Sequence, residues 1–229
     1  MSLPAGARPA PSIGGMPAFL ANVGVNASHR VASPLHPDGT FTLVPIPEAM
    51  AWAPPMLRLP EAWGDRPVHL DPDLTSATAT YGDNCRRAGR AFSLRRAEPG
   101  DLIVFLARLG GPDRAALHLV GALEVEDVLA DATTDPGPGW WDANAHVRRA
   151  RALEAWDSFW VFRGSVRSRF FERAVPFTIE LARATLGMTP NPARTEQQTI
   201  ASHTRAVRRL TGVGEHLLRE LCPPPICRS

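Results

Sequence analysis

Apolar positions concentrate in two runs, residues 102–109 (LIVFLARL) and 117–125 (LHLVGALEV), and both read as strands. A Pro99-Gly100-Asp101 turn leads into the first, and the seven residues GGPDRAA between them suit a hairpin loop. AFLANVGV (18–25) reads as a third buried strand and FWVFRG (159–164) as a fourth. Phe41 and Leu43 alternate within TFTLVPIP, where Pro45 and Pro47 predict an edge strand that ends there. Helical spacing runs over 144–156, with Asn144 as N-cap and Val147, Ala150 and Leu153 on one face. Three more helices are predicted: 177–186 ending at Gly187, 195–210 ending near Gly212, and 213–221 ending before three prolines. Ala88, Ala91, Phe92 and Leu94 predict a short helix with arginines on its outer face. Residues 49–79 are Pro-rich and irregular, a length that suggests a functional loop. The expected core is Leu102, Val104, Leu106, Leu119 and Val161. The predicted fold class is α+β: a mixed, mostly antiparallel sheet with packed helices and a helical C-terminal part.

Composition narrows the picture. The 229 residues suffice for one elaborated domain, or for a domain with a helical appendage. The apolar share of 44% and charged share of 21% are those of an ordinary globule. No apolar run reaches the roughly 18 residues of a membrane span. Residues 1–17 are Pro/Gly/Ala-rich without an apolar h-region, so they read as a flexible leader, with a cytoplasmic location expected. All 25 basic residues are arginine. That excludes a lysine Schiff base or P-loop, and leaves guanidinium forks, histidine or backbone N–H groups to hold an anion. Charge is uneven: residues 1–140 carry 11 Arg against 15 Asp and Glu, whereas 141–229 carry 14 against 8. The basic half suits nucleic acid or solvated helix faces. Cys85, Cys222 and Cys227 form no CxxC pair and are expected as free thiols. Dinucleotide, P-loop, zincin, serine-hydrolase and zinc-deaminase signatures are absent.

Several short words carry candidate chemistry. FLANVGVNASHR offers Asn22 and Asn26, whose amides can pair with a base edge, Gly24 for close backbone approach, and His29 as a general base. The same residues equally suit turn caps. TYGD holds Tyr81, the single tyrosine of the chain, and Asp83. FRGSVRSRFF places Ser165, Ser168 and Arg169 after a strand, a set that suits either a phosphate or an N-capped connection. Trp140 and Trp141 stand in a Gly/Pro loop and suit base stacking or a core. His36, Asp38, Asp71 and Asp73 could hold a divalent cation if they converge, but as a string of loop residues they assign no metal.

Taken in order, FLANVGVNASHR, SPLHPDGTFTLVPIPE, DPDLTSATATYGD, EPGDLIVFLARL, HLVGALEVEDV and FRGSVRSRFFERAVPF resemble the third group of the nucleotide-modification-associated domains, over roughly residues 18–180. The Pro99-Gly100-Asp101 turn with Gly121 and Val125 is similar to PUA-like and ASCH-like domains, which implies a sheet curled into a small barrel. The family resemblance implies a role in making, reading or handling modified bases near DNA-modification genes of bacteria and phages. It carries no catalytic mechanism over. It suggests a leader (1–17), a nucleotide-modification-associated domain (18–186) and a packed helical extension (187–229).

The expected function is therefore binding of a base or nucleotide in DNA modification or restriction. Asn22, Gly24, Asn26, Tyr81, Trp140 and Trp141 would contact the base, and Ser165, Ser168 and Arg169 the phosphate. Whether the protein turns over a substrate is left open. If it does, His29 and Asp83 are the acid–base candidates. No cofactor is expected, with a divalent metal as the alternative. The alternatives are a metal-assisted enzyme acting on a free nucleotide or small polar metabolite, and a non-catalytic subunit that binds protein. The expected partner is nucleic acid or nucleotide and not a membrane. Oligomeric state is not fixed by the sequence.

Overall fold

The computed structural model describes residues 16–24, 33–48, 57–58, 67–85, 89–110 and 115–222. Asn26, His29, most of the leader and much of 49–66 lie outside the described residues.

A seven-stranded sheet organises the chain. Its strands are β1 (Ala18–Asn22), β5 (Thr80–Asp83), β6 (Leu102–Leu109), β7 (Ala116–Ala132), β8 (Phe159–Gly164), β9 (Arg169–Pro176) and β10 (Arg208–Leu210). The spatial order is β10-β1-β6-β7-β8-β5. β1 and β6 are parallel, and the other pairs are antiparallel. β2 (Ile46–Pro47), β3 (Leu57–Arg58) and β4 (Pro67–His69) form a separate three-stranded sheet.

The strand path is open, with β10 and β5 at its ends, and no pairing among the described residues closes it into a barrel. What the sequence does build is a sheet apolar on both faces. Successive side chains of a strand point to opposite faces. Ile103, Phe105 and Ala107 therefore join Phe19, Tyr81, Leu94 and Phe162 in one core. Leu102, Val104 and Leu106 join Leu20, Leu119, Ala182, Ile200 and Leu218 in another, beneath helices. Burial on both faces makes the central strands nearly continuous apolar runs. All five expected core residues are buried, Val161 in a third cluster with Val147 and Phe159.

The helices are α1 (Ala145–Leu153), α2 (Ile179–Leu186), α3 (Glu196–Thr204) and α4 (Val213–Leu221). Asn144 caps α1 by accepting from the His146 N–H at 3.0 Å. Gly187, with φ of +61°, ends α2 in the left-handed region that a Cβ disfavours. The Arg-rich segment expected as a short helix is a 3-10 helix, Gly89–Arg96. Two other expectations change. The helix expected over 195–210 stops at Thr204, and Arg208–Leu210 become β10 on the outer edge of β1. β7 runs seven residues past Val125, because β8 pairs with that second half. No helix among the described residues is long and apolar enough to cross a membrane.

Candidate functional site

The connection between β8 and β9 is a tight turn stapled to β7. A Cβ on Gly164 would collide with Ser168 Oγ, so the chain can pass there only as glycine. The Ser168 N–H donates to the Ser165 carbonyl at 2.9 Å, closing the turn, and the Ser165 N–H donates to the Glu124 carbonyl at 2.8 Å. Ser165 Oγ donates to the Glu124 carboxylate at 2.8 Å and accepts from the Arg167 N–H at 3.2 Å. Ser168 Oγ accepts from the Glu124 N–H at 3.1 Å. Both hydroxyls are thus engaged by the turn itself. Val166 at its tip is 99% exposed.

Beside this turn lies a pocket of about 170 Å³. Leu102, Ala122, Phe171 and Cys222 give it apolar walls, and Arg167, Arg169, Arg219 and Glu124 line it with charge. Arg219 is fixed in place: Nε donates to Glu215 at 2.8 Å and Nη2 to the Met16 carbonyl at 2.7 Å. Burial pushes the Cys222 thiol up to about 12, so its sulfur is a neutral wall at physiological pH. Three guanidinium groups beside an aromatic ring and small aliphatics suit a ligand that is anionic at one end and a flat ring at the other.

Of the residues expected to contact a ligand, Arg169 lines this pocket, while Ser165 and Ser168 hold the turn beside it. The other described ones lie elsewhere. Asn22 stands beside Leu106, whereas the pocket is at Leu102. Four residues of strand put them ~13 Å apart along β6. Gly24, with φ of +76°, makes a bend just beyond Asn22. Tyr81 belongs to the core on the opposite face. It is 3% exposed, packed on Phe105 and Phe162, and donates to Asp83 at 2.9 Å. Burial, then the charge of Asp83, pushes the Tyr81 hydroxyl well above its ordinary value. A ring so enclosed offers no face for a base. Trp140 and Trp141 fold over α1, their indole N–H groups donating to Asp127 (3.0 Å) and the Gly137 carbonyl (2.9 Å).

The expected metal set does not assemble. Asp38 accepts from the N–H and hydroxyl of Thr40, which hold its carboxyl below the usual range, and Asp73 accepts from Thr75 and Ser76. Asp71 is buried and bonds Gly82 N–H and His146 Nε2, at 2.9 and 3.1 Å. No group of three His, Cys, Asp or Glu placed to hold a metal ion occurs among the described residues.

Residues 18–216 match the family described as nucleotide modification associated domain 3. The chain belongs to that family. Comparison with curated proteins and with solved structures returns no match. The nucleotide modification associated segment contains the stapled turn, Arg167 and Arg169, and it ends three residues before Arg219. It also contains a second polar cluster, which brings Asp71 of the expected cation set together with His146, a residue the sequence did not single out. His69 pairs with Glu48 at 2.8 Å, His146 with Asp71 at 3.1 Å, and the two rings meet edge to face at 6.4 Å. Gly82 makes room for it, since a Cβ there would lie 2.5 Å from His146 Cδ2. Arg167 was legible only as part of its word. Arg219 carried the opposite signal, because Glu215 and Arg219 at i, i+4 read as a solvated helix face.

Proposed function

We propose that the protein binds a base or nucleotide in the arginine-walled pocket, in the service of DNA modification or restriction. The observation that carries this reading is the convergence of Arg167, Arg169 and Arg219 on an apolar recess floored by Leu102, Ala122 and Phe171. A phosphate would take the guanidinium forks and a base the aliphatic and aromatic wall. The excess of arginine in residues 141–229, 14 against 8 acidic residues, points the same way. The nucleotide modification family supports a nucleotide-related role without naming a ligand. The reading is one of binding, and turnover is a separate matter.

The test is thermal stabilisation by nucleoside monophosphates and short oligonucleotides at two salt concentrations. Ligand at a hundred times its Kd stabilises by about 2.7 kcal/mol, a shift of about 5–10 °C for a chain of this size. Arg169→Ala is expected to abolish the shift, and raising salt to weaken the oligonucleotide shift most. An unchanged shift in Arg169→Ala would remove the pocket from the reading.

A further inference from the structure

Solvated turn tips usually carry glycine, asparagine, aspartate or serine. Here the tip is Val166, 99% exposed, between two serines whose hydroxyls are both bonded within the turn. A β-branched side chain is stiff at χ1, and this backbone is pinned to Glu124 at several points, so the methyls form a rigid projection. The next residue, Arg167, already lines the pocket. A rigid apolar point is therefore the chain neighbour of a residue that lines a recess suited to an anionic ring compound. The recess, about 170 Å³, compares with the cavity of about 150 Å³ that accepts benzene. A base-sized flat ring fits such a space.

We propose that Val166 is a wedge that enters duplex DNA and that the pocket receives the base it displaces. This rests on the reading of the pocket as a base or nucleotide site. Proteins that open or kink a duplex insert apolar side chains between base steps. Proteins that handle one base extrude it into a pocket, and the unstacking cost is least at a mismatched or damaged pair. Arg167 and Arg169, on the two sides of Ser168, supply guanidinium groups for the phosphates flanking the displaced nucleotide. The substrate class is thus a duplex with a weakened base pair.

The experiment uses the full chain and a duplex carrying 2-aminopurine next to a mismatched pyrimidine. Anisotropy reads binding, 2-aminopurine fluorescence reads unstacking, and the melting shift with cytidine monophosphate reads the pocket alone. The wild type is expected to raise fluorescence several-fold. Val166→Ser, at a fully solvated position, should keep its own melting temperature and the nucleotide shift yet lose more than half of the fluorescence gain. Arg169→Ala should lose both signals. A nucleotide shift with flat fluorescence on duplex binding, or a Val166→Ser variant as active as wild type, overturns the wedge and leaves the pocket standing. No nucleotide shift at all overturns the pocket reading and the wedge with it.

Discussion

His118 is buried in the first half of β7, where its Nδ1 lies 3.1 Å from the Ala116 carbonyl. Burial, against that hydrogen bond, holds the imidazole below its ordinary value of 6.5. The unfolded chain therefore takes up a proton at a higher pH than the folded one. The stability due to neutral His118 is complete above about pH 6.5 and is lost as pH falls through the lower folded value. His118→Gln retains an amide that can donate to the Ala116 carbonyl and removes the titration. Melting curves between pH 7 and 5 should show a smaller fall in Tm for the variant than for the wild type. An equal fall would assign the acid sensitivity elsewhere.

Among the elements, α1 depends most visibly on one side chain. Asn144 accepts from the His146 N–H and donates from Nδ2 to Thr80 Oγ1 at 3.1 Å, so the same amide caps the helix and ties it to β5. Asn144→Ala should cost about 1–2 kcal/mol, a drop of about 2–8 °C in Tm. Asn144→Asp retains the cap acceptor and should recover part of the loss in the same thermal melt. This helix was legible because cap and apolar spacing agree. The central strands were legible for another reason, since burial on both faces leaves β6 with hardly a polar residue. β10 was not, because it is Arg-Arg-Leu with both arginines exposed, and its strand character comes wholly from the edge of β1. β9 likewise mixes Arg, Glu and Phe with no alternation, and takes its path from β7. The candidate site was legible as the GSVRSR word but not as a pocket. Arg219 and Cys222 reach it from a helix about 50 residues further along, by packing that no local pattern records.

At the scale of the whole molecule, the C-terminal helices and β10 are joined to the first strand. β10 pairs with Ala18, Phe19 and Leu20, and Ile200 and Leu218 share a core with Leu20. A chain ending after Gly187 would leave the β1 edge unpaired and that core open on one side. It is expected to lose its sharp melting transition and to elute as aggregate in size-exclusion chromatography. A sharp transition in a monomeric truncated chain would show instead that the last segment is dispensable for folding. The β1 pairing also bears on biosynthesis. Leu20 meets Arg208 on one side, about 190 residues later in the chain, and Val104 on the other. At the 5–20 residues per second of translation, roughly 10–40 s separate the emergence of the two partners from the ribosome. During that interval a strand of Ala, Phe and Leu is out of the tunnel with one edge unpaired, open to a chaperone until β10 arrives.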